Sequence, residues 1–128
     1  MKILLDTRLL LWAAGNSAEL PARARALIED ADNEVIFSAA SLWEIAAKSE
    51  LGRTDFRVDV KRLRRGLLDN NYVELAITGR HAVALAALPA LHADAIDRML
   101  IAQATVDGLV LLTVDPLVAR YPGPVKMI

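Results

Sequence analysis

The chain has no cysteine and only two histidines, so disulfides and thiolate metal sites are excluded and zinc has few of its usual ligands. It also has no apolar run long enough to span a bilayer. Near the N-terminus, Lys2 and a short apolar run are interrupted by Asp6 and Arg8, which is too short and too charged for a signal sequence. These absences lead us to expect a soluble protein in a reducing cytoplasm. An excess of charge is missing too: the formal net charge is −1, and the total balance calls for neither nucleic acid nor an acidic membrane. What is abundant is apolar residues, 55% of 128, enough for a sizeable core in a single domain spanning residues 1–128.

Charge is unevenly spread. Arg53, Arg57, Lys61, Arg62, Arg64 and Arg65 face only Asp55 and Asp59 in the same stretch. A solvated helix face and a phosphate-binding rim both fit such a run.

The patterning alternates strands with helices and contains no repeat or linker. Lys2–Leu5 predicts a buried strand, and a helix from Arg8 to Ala14 stops at Gly15 and Asn16. Pro21 opens a helix through "ARARALIEDA", and a strand is expected at Glu34–Phe37. "SAASLWEIAAKSELG" has the caps and alanines of a well-formed helix. A basic helix is expected over Val58–Asn70, a strand over Tyr72–Ile77, and a helix from Thr78 to near Pro89. "HADAIDRMLIAQA" predicts a helix reaching Val106 and ended by Asp107 and Gly108, followed by the apolar strand "LVLLTV" and a last strand near Val125–Ile128. Parallel neighbours need crossovers of a dozen or more residues, so the class is a three-layer α/β domain with a central parallel sheet of four to five strands.

Ligands in such sheets bind beyond the carboxyl ends of the strands. Asp6 follows the first strand and Asp115 follows "LVLLTV". Glu44 lies two turns into the helix after the second strand, and Asp97 lies in the first turn of the helix leading to the strand before Asp115. Four acids can therefore meet above one sheet edge. Each also has a plainer explanation. Asp94 can cap a helix with Asp97 at the positive end of its dipole, Ser41 and Glu44 match a capping box, Glu44 and Lys48 an ion pair, and Asp115 before Pro116 a cap. Asp6, at the end of a central strand, needs a partner or a ligand. Gathered carboxylates stay ionised only beside cations, and an all-oxygen set selects magnesium or manganese. Hydrolysis of a phosphodiester by metal-activated water is the matching chemistry, and histidine is not required for it.

Asp6 in "LLDT", Glu44 in "SAASLWEIAAK", Asp97 in "HADAIDRMLIAQA" and Asp115 in "LLTVDP" resemble the four acidic signatures of PIN-domain nucleases. "SLWEIAAK" and "DRMLIAQA" resemble the VapC toxin branch in particular. The resemblance implies sheet order 3-2-1-4-5 and an endoribonuclease, dependent on Mg2+ or Mn2+, that blocks translation. It also implies a homodimer held in check by a VapB-like antitoxin. Asp6, Glu44, Asp97 and Asp115 would be its catalytic metal ligands, with Asp94, Thr7, Thr113 and Arg8 secondary or orienting. Arg53, Arg57, Lys61, Arg62 and Arg65 would hold RNA. Two departures stand out. Arg8 replaces the branch's usual histidine, and "DAID" replaces "DPFD", so Ala95 and Ile96 stand for proline and phenylalanine.

Other expectations concern single residues. His81 reads as a partly exposed helix residue, and His92 as a loop histidine, structural or near the site. Trp12 and Trp43 read as core or subunit-contact residues, and Arg98 as the partner of an acid. Two rival classes remain: a non-catalytic PIN-fold interaction protein, and a phosphate-binding signalling domain that would need a late-strand lysine, for which Lys126 is too near the terminus.

Overall fold

The structure, a computed structural model, describes residues 1–51, 58–92 and 94–128. Three expectations fall on other residues: Arg53 and Arg57 as RNA contacts and Gly52 as a helix terminator all lie outside the described part.

Strand β1 (Lys2–Leu5) leads into α1 (Thr7–Ala14) and α2 (Ala22–Glu29), and β2 (Glu34–Ser38) runs directly into α3 (Ala39–Glu50). The chain continues through α4 (Val60–Asp69), β3 (Val73–Leu75), α5 (Gly79–Ala86), α6 (Ala95–Asp107), β4 (Val110–Thr113), α7 (Pro116–Ala119) and β5 (Val125–Met127). All strands are parallel, in the order β3-β2-β1-β4-β5. From β1 the chain first builds outward on one side and then returns to place β4 on the other. The strand order therefore reverses between β1 and β4.

Side chains on a strand point alternately to opposite faces, and here both faces are covered. Ile3, Leu5, Val35, Phe37 and Leu112 face Leu9 and Leu10 of α1, Ala24 of α2 and Leu67 of α4. Leu4, Ile36 and Leu111 face Leu100, Ile101 and Ala104 of α6. This is why the central strands read as unbroken apolar runs. Helix α3 reaches both layers, with Leu42 in one cluster and Ala40 in the other.

Element ends follow from capping and from strand partners. Strand β3 is shorter than Tyr72–Ile77 because its only neighbour among the described residues is β2, and Ser38, which pairs with Leu75, is where β2 turns into α3. Helix α4 starts later than Val58 because the Asp59 carboxylate accepts the main-chain N–H groups of Lys61 and Arg62. Helix α6 starts at Ala95 because Asp94 accepts those of Ile96 and Asp97 in the same way.

Candidate metal centre

The register sets Leu5 beside Leu112, so the next residues, Asp6 and Thr113, emerge side by side at the reversal point. There a cleft of about 300 Å³ is lined by Asp6, Thr7, Arg8, Leu11, Glu44, Lys48, Asp94, Asp97 and Asp115. All four carboxylates singled out in the sequence, with Asp94, thus line one cleft.

Asp6 is 5% exposed and does two jobs. One carboxylate oxygen caps α1 by accepting the Leu9 N–H at 2.8 Å, and the other accepts the Thr113 hydroxyl at 2.7 Å. Burial pushes its pKa up, against the pull of the Leu9 N–H, the Thr113 hydroxyl, the Arg8 charge and the Val114 N–H. The Thr113 hydroxyl oxygen also accepts the main-chain N–H of Asp115 at 3.0 Å, so this one threonine ties two of the acids together. Thr7 donates to Ser41 Oγ at 2.9 Å and joins α1 to α3.

Glu44 projects from the second turn of α3, 3.3 Å from Lys48. The ion pair is therefore realised. The capping box is not, because Ser38 caps α3 and Ser41 is buried inside it. Asp115 caps α7 through the Leu117 N–H.

Asp97 is the most perturbed of the group, pushed up to about 6. Burial is the leading cause, opposed by a hydrogen bond from His92; Asp94 raises it further, the His92 charge lowers it, and Asp6 raises it. The negative charges of Asp6 and Asp94 thus reach Asp97 across the cleft. The arrangement is an electrostatically crowded set of carboxylates with Arg8 and Lys48 among them.

The family model for the PIN domain matches residues 3–124. The chain belongs to the PIN-domain family. Comparison with curated proteins finds no match. Solved structures similar over the whole length share the fold at low identity. VapBC2 from Rickettsia felis, bound to a DNA fragment from its promoter, aligns with TM-score 0.71 and 13% identity, covering 99% of this chain and 98% of the other. DNA-bound VapBC from Salmonella typhimurium gives 0.68 and 16%, covering 99% and 98%. VapBC-5 from Mycobacterium tuberculosis, described as a member of the VapBC family of toxin-antitoxin systems, gives 0.64 and 22%, covering 99% and 97%.

The donors of this PIN domain fit a hard divalent ion. They are carboxylate oxygens, two of them belong to groups whose charge is disfavoured by burial, and a cation would relieve both that penalty and their mutual repulsion. Among the described residues no three acids or histidines are already drawn together as a ligand set. An arriving ion would therefore have to gather them, and at Glu44 it would compete with Lys48.

Several single-residue expectations are corrected. His81 is 2% exposed, not partly exposed: its Nδ1 accepts the Thr78 N–H, completing a cap on α5, and its Nε2 meets Asp107 at 3.0 Å. Arg98 contacts no acid among the described residues; its guanidinium donates to the carbonyls of Pro89 and Leu85 and to the Tyr121 hydroxyl. Trp12 packs against the core as expected, but Trp43 is 66% exposed and is not a core residue.

Lys61, Arg62 and Arg65 are exposed on α4, but none lines the acid cleft. Arg62 lines a separate cavity with Ala13, Ala14 and Asn16, at the far end of α1 from Asp6. Among the described residues, the cations that do line the cleft are Arg8 and Lys48. Pattern reading assigned no function to Lys48 beyond its ion pair and did not single out Tyr121 or Gln103. Tyr121 is buried and hydrogen-bonded to His92, which in turn reaches Asp97.

Proposed function

We propose that this PIN domain is a divalent-metal-dependent endoribonuclease, the toxin of a VapBC-type toxin-antitoxin pair, hydrolysing RNA phosphodiesters and so inhibiting translation. The observation that carries the proposal is the convergence of Asp6, Glu44, Asp97 and Asp115 on one cleft at the reversal point of the sheet. Those four would hold Mg2+ or Mn2+, with Asp94 beside them. Bound there, the ion would polarise a phosphate, acidify a water and stabilise the leaving oxygen. The rest falls to the chain's own groups. Thr113 holds Asp6 and orders the turn to Asp115, Thr7 fixes α1 against α3, and Arg8 brings a permanent positive charge to the cleft for a phosphate oxygen.

A VapB-like antitoxin, a homodimer and a cytoplasmic location complete the reading. Its support is the VapBC content of the similar structures, together with the fact that no helix among the described residues is long and apolar enough to cross a membrane. A non-catalytic interaction protein is favoured by one observation, the two cations Arg8 and Lys48 among the acids. The signalling reading has no such support: Lys126 pairs at Leu112 on an edge strand and does not line the cleft.

The deciding experiment is RNA cleavage by the purified protein with Mg2+ or Mn2+, with chelator, and with Asp6→Asn and Asp97→Asn. The nuclease reading expects cleavage that chelator stops and that either substitution reduces a hundredfold or more, on the order of a ligand lost from a metal site. Equal cleavage by parent and variants would overturn it.

A further inference from the structure

The hydrogen bonds around Tyr121 run in one direction, toward Asp97. The phenol oxygen has one proton to give and two lone pairs. Both lone pairs are used: the Arg98 guanidinium donates at 3.3 Å and the His92 main-chain N–H at 3.1 Å. Arg98 is itself fixed by the Pro89 and Leu85 carbonyls and lies 6.0 Å from the centre of the Tyr121 ring. The phenol proton then has two candidate acceptors, His92 Nδ1 at 2.7 Å and the His92 carbonyl at 3.3 Å. The shorter contact takes it. With Nδ1 an acceptor, a neutral imidazole carries its own proton on Nε2, the atom that stands 3.3 Å from Asp97 Oδ2. The opposite tautomer would give the phenol oxygen a third donor and leave its proton only the longer contact.

We propose that Arg98, Tyr121 and His92 form a positioning relay that fixes one His92 tautomer and thereby holds the Asp97 carboxylate in the orientation it needs to bind a divalent ion. The relay rests on the reading of Asp97 as an ion-binding carboxylate. It joins the start of α6 and the residues before it to Tyr121, 29 positions beyond His92, and it gives Arg98 a purpose that its carbonyl contacts alone do not. It also converts a loop histidine into a donor whose ring is held edge-on to Tyr121, with centroids 5.1 Å apart. A hydrogen bond of this kind to a ligating group sets its geometry and basicity, and losing one costs about 10- to 100-fold in metal affinity or activity.

The test uses the full chain and reads the relay in two ways. In the metal-free protein, long-range 15N–1H spectra of the imidazoles, with His92 assigned by its loss in His92→Gln, should show His92 with its proton on Nε2. In Tyr121→Phe that preference should weaken. A proton found on Nδ1 in the parent would overturn the relay.

Calorimetric titration with Mn2+ is the second reading, made at a temperature where circular dichroism shows every variant folded. Tyr121→Phe and His92→Ala should bind about tenfold more weakly than the parent. His92→Gln, whose amide can donate from nearly the Nε2 position, should stay within about threefold, a rescue that loss of packing alone would not produce. Full Mn2+ affinity in Tyr121→Phe and His92→Ala, with affinity lost in Asp97→Asn, would overturn the relay while leaving the site intact. Full affinity in Asp97→Asn would instead remove Asp97 from the metal site, and the relay's stated purpose with it.

Discussion

At the scale of single residues, the cleft is built from groups that the fold does not favour. Asp97 titrates near 6 rather than 3.8, so the folded chain holds its proton more tightly than the unfolded one and the ionised carboxylate destabilises the metal-free protein. That cost is absent below 3.8, grows as pH rises toward about 6, and is complete above it. His92, Asp94 and Asp6 are the charged or titratable neighbours that modulate it. In chelator at about pH 7.5, Asp97→Asn should therefore be more stable than the parent, by ~1 kcal/mol after allowing for solvent screening, or roughly 4 °C in Tm. At about pH 4 the advantage should vanish. Thermal melts at the two pH values check this, and a gain that does not depend on pH would contradict the charge-based cause. Thr113 points the other way, because its hydroxyl serves both Asp6 and the Asp115 N–H. Thr113→Val keeps the shape, strips a buried carboxylate of its donor, and should cost about 1–3 kcal/mol in urea unfolding.

At the scale of elements, what could be read from sequence and what could not separate cleanly by range. Local signals were legible: Gly15 ends α1, Pro116 opens α7, and "LVLLTV" holds the most buried parts of β4. Gly108 closes α6 with φ of 68°, in the left-handed region and with open space around it. Gly108→Ala should thus cost about 1 kcal/mol through the backbone alone, with Asn recovering part of that. Comparison of denaturant midpoints checks both. Long-range partners were not legible. Gln103 looks like a polar interruption in "MLIAQATV", yet its carbonyl oxygen accepts the Ser38 hydroxyl at 2.6 Å, across 65 positions of sequence, and ties α6 to the end of β2. The burial of His81 is hidden from local pattern for the same reason: it packs on the neighbouring helix, where its Nε2 meets Asp107. Asp6, Glu44, Asp97 and Asp115 were readable as a set because topology alone brings strand ends to one edge, whereas the Tyr121 support of Asp97 required knowing that His92 lies against Tyr121, beyond α7.

At the scale of the whole molecule, cations stand both inside the acid cleft, at Arg8 and Lys48, and away from it, on α4. The acids gather at the N-terminal end of α1, while Arg62 of α4 lies toward its C-terminal end, about 12 Å away for a helix of this length. A net charge of −1 conceals this arrangement. An RNA strand cut in the cleft and extending along α1 would approach Arg62, with Lys61 and Arg65 exposed on the same helix. Arg64 is held at Glu74 by a two-point ion pair, 2.7 and 3.0 Å, and is less available. Each phosphate neutralised on a single strand contributes about 0.7 to the slope of log K against log salt. Replacing Lys61, Arg62 and Arg65 together by alanine should therefore lower that slope by about 2 and weaken RNA binding most at low salt, with Mn2+ affinity unchanged. Filter binding of a single-stranded RNA over a salt series, using the Asp97→Asn background to prevent cleavage, measures the slope directly. An unchanged slope would mean that the strand leaves the cleft by another face, and Arg8 would then be the first cation to replace.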